Sequence, residues 1–80
     1  MDISAQISVY PLRQDQLSPV IRDVQDVLTA AGLQVTPGPM STLVAGEGAI
    51  VLDAIKTAFL RAVETGHVVM TATLSNACPV

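Results

Sequence analysis

At 80 residues the chain has room for one domain with a thin core, since a chain this short hides only about 60% of the surface its unfolded form exposes. Half of the residues are apolar, 14% are charged and the mean hydropathy is +0.52, against roughly 25% charged in an average soluble domain, so part of the surface is expected to be covered by another subunit. The net charge of −3, with cations only at Arg13, Arg22, Lys56 and Arg61, supplies no phosphate-neutralising stripe and argues against nucleic acid as a partner.

Residues 3–10 alternate strictly, with Ile3, Ala5, Ile7 and Val9 on one face and Ser4, Gln6, Ser8 and Tyr10 on the other, the period-two pattern of a strand. Pro11 is expected to end its ladder. The polar run Arg13-Gln14-Asp15-Gln16 leads to Ser18-Pro19, which reads as an N-cap followed by proline at the first helical position. Apolar residues then recur at three- and four-residue steps, Val20, Val24, Val27, Leu28 and Ala31, and Gly32 supplies a left-handed stop. Residues 33–35 predict a short edge strand that turns through Gly38, because Pro37 and Pro39 cannot donate to a central ladder. Residues 42–45 form the next strand-like run, closed by Gly46-Glu47-Gly48. Over residues 49–65, Leu52, Ile55, Phe59, Ala62 and Val63 predict a second amphipathic helix, with Glu47 favouring its positive N-terminus and Gly66 capping its end. In the last strand, residues 67–75, Val68, Met70, Ala72 and Leu74 alternate with Val69, Thr71, Thr73 and Ser75.

The order β-α-β-β-α-β with right-handed crossovers predicts an α+β, ferredoxin-like single domain over residues 1–80, a four-stranded antiparallel sheet with two helices on one face. The helices are expected to cover the apolar side of the strands, leaving Gln6, Ser8, Tyr10, Val69, Thr71 and Thr73 opposite. A solvated sheet face normally carries Lys and Glu. One built of hydroxyls, an amide and a valine predicts cover by a second subunit or by a ligand.

Catalytic constellations are missing from the sequence. No CxxC pattern exists, and His67 with Cys78 makes no plausible metal set. There is no GxGxxG or Walker sequence, and RNA binding on such a sheet needs exposed aromatics where only Tyr10 qualifies. Asp23, Asp26, Asp53 and Glu64 lie on polar helix faces and read as solvated charges. His67 reads as a partly exposed strand-end residue, with ligand contact or pH sensing as its alternative. Cys78 reads as an incidental thiol near the terminus, and Met40 and Met70 as core or interface filling. Gln6 stands apart. A mid-strand amide that is covered must satisfy its donors and acceptor, either across a subunit contact or on a polar ligand. The longest apolar stretch, residues 45–60, is broken by Glu47, Asp53 and Lys56, so no membrane span is expected. One cysteine and an opening without signal-peptide character point to the cytoplasm.

Two segments carry a family resemblance. Ile3-Ser4-Ala5-Gln6-Ile7-Ser8-Val9-Tyr10-Pro11-Leu12 and Gly38-Pro39-Met40-Ser41-Thr42-Leu43-Val44-Ala45-Gly46-Glu47, at this separation, resemble the MTH1187/YkoF-like (UPF0045) thiamine-binding proteins. Leu17-Ser18-Pro19 and Ala54-Ile55-Lys56 also fall where that family has its helices. The resemblance implies a non-enzymatic ferredoxin-like subunit, without catalytic residues, metal or cofactor, that assembles as a homodimer or homotetramer and binds thiamine or its hydroxymethylpyrimidine part. By position, it implies ligand contacts from Gln6, Ser8 and Tyr10 and from Met40, Ser41 and Thr42, with hydroxyls of Thr71 and Thr73 available beside them. An amide suits an aminopyrimidine edge, much as Gln pairs with adenine. The sequence departs from the family at Arg13 and Ser41, where many members have glycine, and in its tail Leu74-Ser75-Asn76-Ala77-Cys78-Pro79-Val80, which lacks acidic and arginine residues. The competing reading is a structural or regulatory oligomer whose polar sheet face serves subunit contact alone.

Overall fold

The computed structural model describes residues 1–12, 18–38 and 40–77. They form strand β1 (Asp2–Pro11), helix α1 (Ser18–Ala30), β2 (Gln34–Pro37), β3 (Thr42–Glu47), α2 (Gly48–Ala62) continued by a 3-10 turn (Val63–Thr65), and β4 (Val68–Ser75). The strands make one antiparallel sheet in the order β2-β3-β1-β4. This is the ferredoxin-like α+β arrangement expected from the sequence, with β2 and β4 at the edges.

Each boundary has a local cause. β1 runs through Pro11 instead of stopping before it, and Pro11 is buried opposite Val68. Beyond Ile7, which faces Thr42, β1 is paired only with β4, so a residue without an N–H is tolerated there. The helix starts one residue earlier than expected: Ser18, read as the cap, is its first residue and Pro19 its second. The expected loop over residues 13–16 lies outside the described residues. α1 ends at Ala30, and the chain turns away through Gly32, whose φ of +85° is open to glycine without strain. At the start of α2, Glu47 is the cap in fact as well as in charge, its carboxylate accepting from the Ile50 N–H at 3.2 Å.

The core lies between the helices and one side of the sheet. Ala5 and Ile7 of β1, Val44 of β3, Val20, Val24 and Leu28 of α1 and Leu33 pack against Val51, Ala54, Ala58 and Ala62 of α2. The buried side of α2 overlaps the expected one only in part: Ala62 is buried and Ile55 packs half-buried against the core, but the rest of the expected stripe turns out. Leu52, Phe59 and Val63 are exposed at 50%, 36% and 37%, and a stripe of one valine and three alanines faces inward. Small residues let α2 settle close to the sheet and to α1, where the larger side chains would not fit. The cover over β4 is also partial: Val68 and Met70 are half-buried, whereas Ala72 and Leu74 are exposed on the side where helices were expected.

Candidate functional site at the β2–β3 hairpin tip

The strand register decides which predicted residues share a face. On the helix-free side, Gln6 of β1 lies between Leu43 of β3 and Thr73 of β4, Ser8 lies beside Thr71, and Tyr10 beside Val69. Gln6, Ser8, Tyr10, Thr71 and Thr73 are thus brought onto one surface. No charged side chain stands among them, and the apolar neighbours Tyr10, Leu43 and Val69 are 48%, 39% and 46% exposed.

The hairpin that joins β2 to β3 folds its tip against this surface. The Gly38 N–H donates to the Ser41 carbonyl at 2.8 Å and closes the turn. From β1, Gln6 Nε2 donates to Ser41 Oγ at 3.1 Å and the Ser8 hydroxyl donates to the Met40 carbonyl at 3.3 Å. Two residues selected from sequence therefore hold two others directly. Each bond is exposed and modest in energy, but together they fix where the Gln6 amide points. The Met40 side chain, 79% exposed, is left free at the tip.

Thr42 does not join this group. Opposite Ile7 in the register, it faces the helices and is 7% exposed, because strand alternation puts it on the other side from Ser41. Its Oγ1 accepts from Gln25 Nε2 of α1 at 3.3 Å. Gln25 escaped the sequence reading, although its position between Ile21 and Leu28 at helical spacing put it on the inner boundary of α1. A cavity of about 70 Å³ opens here, reached by Ser8, Ile21, Gln25, Met40, Ser41 and Thr42. The tip is consequently pinned from both sides of the sheet by two glutamines, Gln6 on one face and Gln25 on the other.

Two further depressions lie elsewhere. One of about 80 Å³ on the helix-free side is lined by Ser4, Gln34, Thr36, Leu43 and Ala45, extending the polar uncharged surface towards β2. The larger, of about 560 Å³, is a groove between the helices with Val27, Ala30, Ile50 and Ala54 along it and Asp23, Asp26, Asp53 and Arg61 at its rim. Arg61 reaches Asp23 at 3.0 Å across this groove, an exposed ion pair that spans the helices. The groove brings together none of the residues selected from sequence. Among the described residues, no group of three His, Cys, Asp or Glu side chains is placed to hold a metal ion.

A sequence model of the YKOF-related family matches residues 2–80. The chain belongs to that family. No curated protein is detectably similar in sequence. Among solved structures, a hypothetical protein of Methanocaldococcus jannascii superposes with a TM-score of 0.87 at 22% identity, over 96% of this chain and 81% of that one. A protein of Thermotoga maritima, described provisionally as acting in thiamine biosynthesis or salvage, gives 0.84 at 22% identity over 94% and 83%. A domain of unknown function from Bacillus cereus gives 0.81 at 22% identity over 92% and 74%. At these identities the likeness establishes the fold. No helix among the described residues is long and apolar enough to cross a membrane.

Proposed function

We propose that this YKOF-related chain is a non-catalytic binding protein for thiamine or its hydroxymethylpyrimidine moiety, working as a homo-oligomer in the cytoplasm. The observation that carries the reading is the Gln6 amide, mid-strand on an uncharged polar face and held in place by the hairpin tip through Ser41. A side-chain amide presents a donor and an acceptor side by side, the pattern complementary to an aminopyrimidine edge. Ser8, Ser41, Thr71 and Thr73 add hydroxyls within the same surface, and Tyr10 offers a ring face. Thr42 would contribute from the far side, through Gln25 and the shape of the tip. The family and the thiamine-related neighbour agree with this chemistry.

The hydroxyls are engaged in a way that suits binding rather than reaction: Ser8 donates to a backbone carbonyl and Ser41 accepts from an amide, so neither is activated by a base. Calorimetry with thiamine and with hydroxymethylpyrimidine tests the proposal. Saturable binding of one of them, weakened about tenfold or more by Gln6→Leu, is expected. No heat from either ligand at millimolar concentration overturns it. The exposed Tyr10, Leu43 and Val69 favour one second reading, a face used for subunit contact alone, which predicts that Gln6→Leu alters assembly in the absence of any ligand effect.

A further inference from the structure

We propose that the groove between α1 and α2 is a docking site for a basic amphipathic helix of a partner protein. Val27 and Ala30 of α1 and Ala54 and Thr57 of α2 are small where the two helices face outward together, so a trough of about 560 Å³ stays open between them. The Asp23–Arg61 pair crosses it at 3.0 Å and joins the N-terminal half of α1 to the last turn of α2, so the helices run antiparallel. From Arg61 the trough extends back to Ile50, which is 45% exposed, along about 16 Å of α2. Leu52 and Phe59 project from the outer flank of α2, away from it. An exposed apolar strip rimmed by charge is the pattern of a protein-binding surface.

The walls of the trough determine the shape of its occupant. Along their length, α1 and α2 satisfy their own N–H and C=O groups, so nothing here can pair with an extended strand, and an occupant is held by side chains alone. A helix laid along two antiparallel helices seats one apolar ridge between them at an axial separation of about 8–10 Å, and alanines on the floor permit that approach. The length corresponds to about three helical turns, which apolar residues at i, i+3 or i+4 and i+7 of the occupant span.

The rim determines its charge. Asp23 and Arg61 neutralise each other, whereas Asp26 on one wall and Asp53 on the other make no ion pair among the described residues. Arg22 and Lys56, the other cations of the two helices, do not line the trough. Two uncompensated carboxylates thus flank an apolar floor, and lysine or arginine on either side of the occupant's apolar ridge meets them. The same carboxylates repel an anionic membrane surface. Another copy of this chain, at a net charge of −3, brings carboxylates to carboxylates and fits poorly. The trough lies on the opposite side of the sheet from Gln6, so a docked helix leaves that surface open and does not depend on the ligand reading.

Fluorescence anisotropy on the full chain tests this surface, with a labelled leucine–lysine peptide of about 18 residues whose leucines recur at helical spacing and whose lysines flank them. Saturable binding at micromolar protein is expected, with no binding of a scrambled peptide of the same composition. D26N/D53N, which keeps side-chain size, is expected to weaken binding about fivefold or more and to flatten its dependence on salt. Ala30→Trp fills the trough without changing charge and is expected to weaken binding about tenfold or more. Leu52→Gln, on the outer flank, is expected to leave it unchanged. Each variant should keep the wild-type far-ultraviolet circular dichroism spectrum, since all of these positions but Asp23 are outside the core and Asp23 is untouched. The proposal is overturned by no saturable binding of the patterned peptide, by equal binding of the scrambled one, by binding that either D26N/D53N or Ala30→Trp leaves intact, or by binding that Leu52→Gln weakens as much as Ala30→Trp.

Discussion

The hairpin tip depends on a few atoms. A Cβ added to Gly38 would stand 2.8 Å from the Ser41 carbonyl oxygen, which the Gly38 N–H itself binds. The obstacle is backbone, so the turn must open. Gly38→Ala is therefore expected to cost about 1–3 kcal/mol in urea unfolding and to weaken ligand binding with it, because Ser41 moves away from Gln6. Gln25 and Thr42 make a sharper case. Gln25→Leu leaves the Thr42 hydroxyl buried without its donor, at a cost of about 1–3 kcal/mol, whereas Gln25→Leu with Thr42→Val removes both partners. The double variant should be less destabilised than the sum of the singles by at least about 0.5 kcal/mol. Strict additivity in a double-mutant cycle would show that the bond carries no energy. At this scale the sequence was readable where alternation was clean, at Gln6, Ser8 and Tyr10. It misled at Thr42 because β3 reads Thr-Leu-Val-Ala-Gly-Glu, with apolar residues on both faces, and the face of each is set only by the register with β1.

Among the elements, α2 offered two candidate stripes with equally good helical spacing. The expected stripe shares Ala62 with the buried one and has Ile55 at its border, but its Leu52, Phe59 and Val63 carry more apolar surface, and burial area alone would select them. The structure buries Val51, Ala54, Ala58 and Ala62 because α2 must lie against both α1 and the sheet, and close approach demands small side chains. Periodicity cannot express that demand, since it records spacing and not the distance to the neighbour. The consequence is measurable. Ala58, 1% exposed, has no room to grow, so Ala58→Leu is expected to destabilise the fold by about 1–3 kcal/mol. Leu52→Lys, on the outer flank, should change the unfolding free energy of the dissociated chain by no more than about 0.5 kcal/mol. A reversal of that order in urea titrations would restore the larger stripe to the core. β4 shows the same limit from the other side: its alternation marked the two faces correctly, but a face with an apolar row looks identical in sequence whether a helix or a second subunit covers it.

For the whole molecule, element order was enough to give the fold, because right-handed crossovers leave few ways to join these elements into one sheet. The extent of the core was not legible, and among the described residues it is small: no aromatic side chain is fully buried, and four of the eleven core residues are alanine. Stability of such a chain must lean on whatever binds the native state. Association and ligand each add to it by mass action, and a ligand at a hundred times its Kd contributes about 2.7 kcal/mol. In a domain of this size each kcal/mol moves Tm by about 4–8 °C. Wild type is therefore expected to melt higher as protein concentration rises. Thiamine or hydroxymethylpyrimidine should raise Tm as well, and Gln6→Leu should lose that shift. If the ligand shift shrinks as the protein is diluted, the binding site is built from more than one copy, and assembly is then a condition for binding rather than a parallel source of stability.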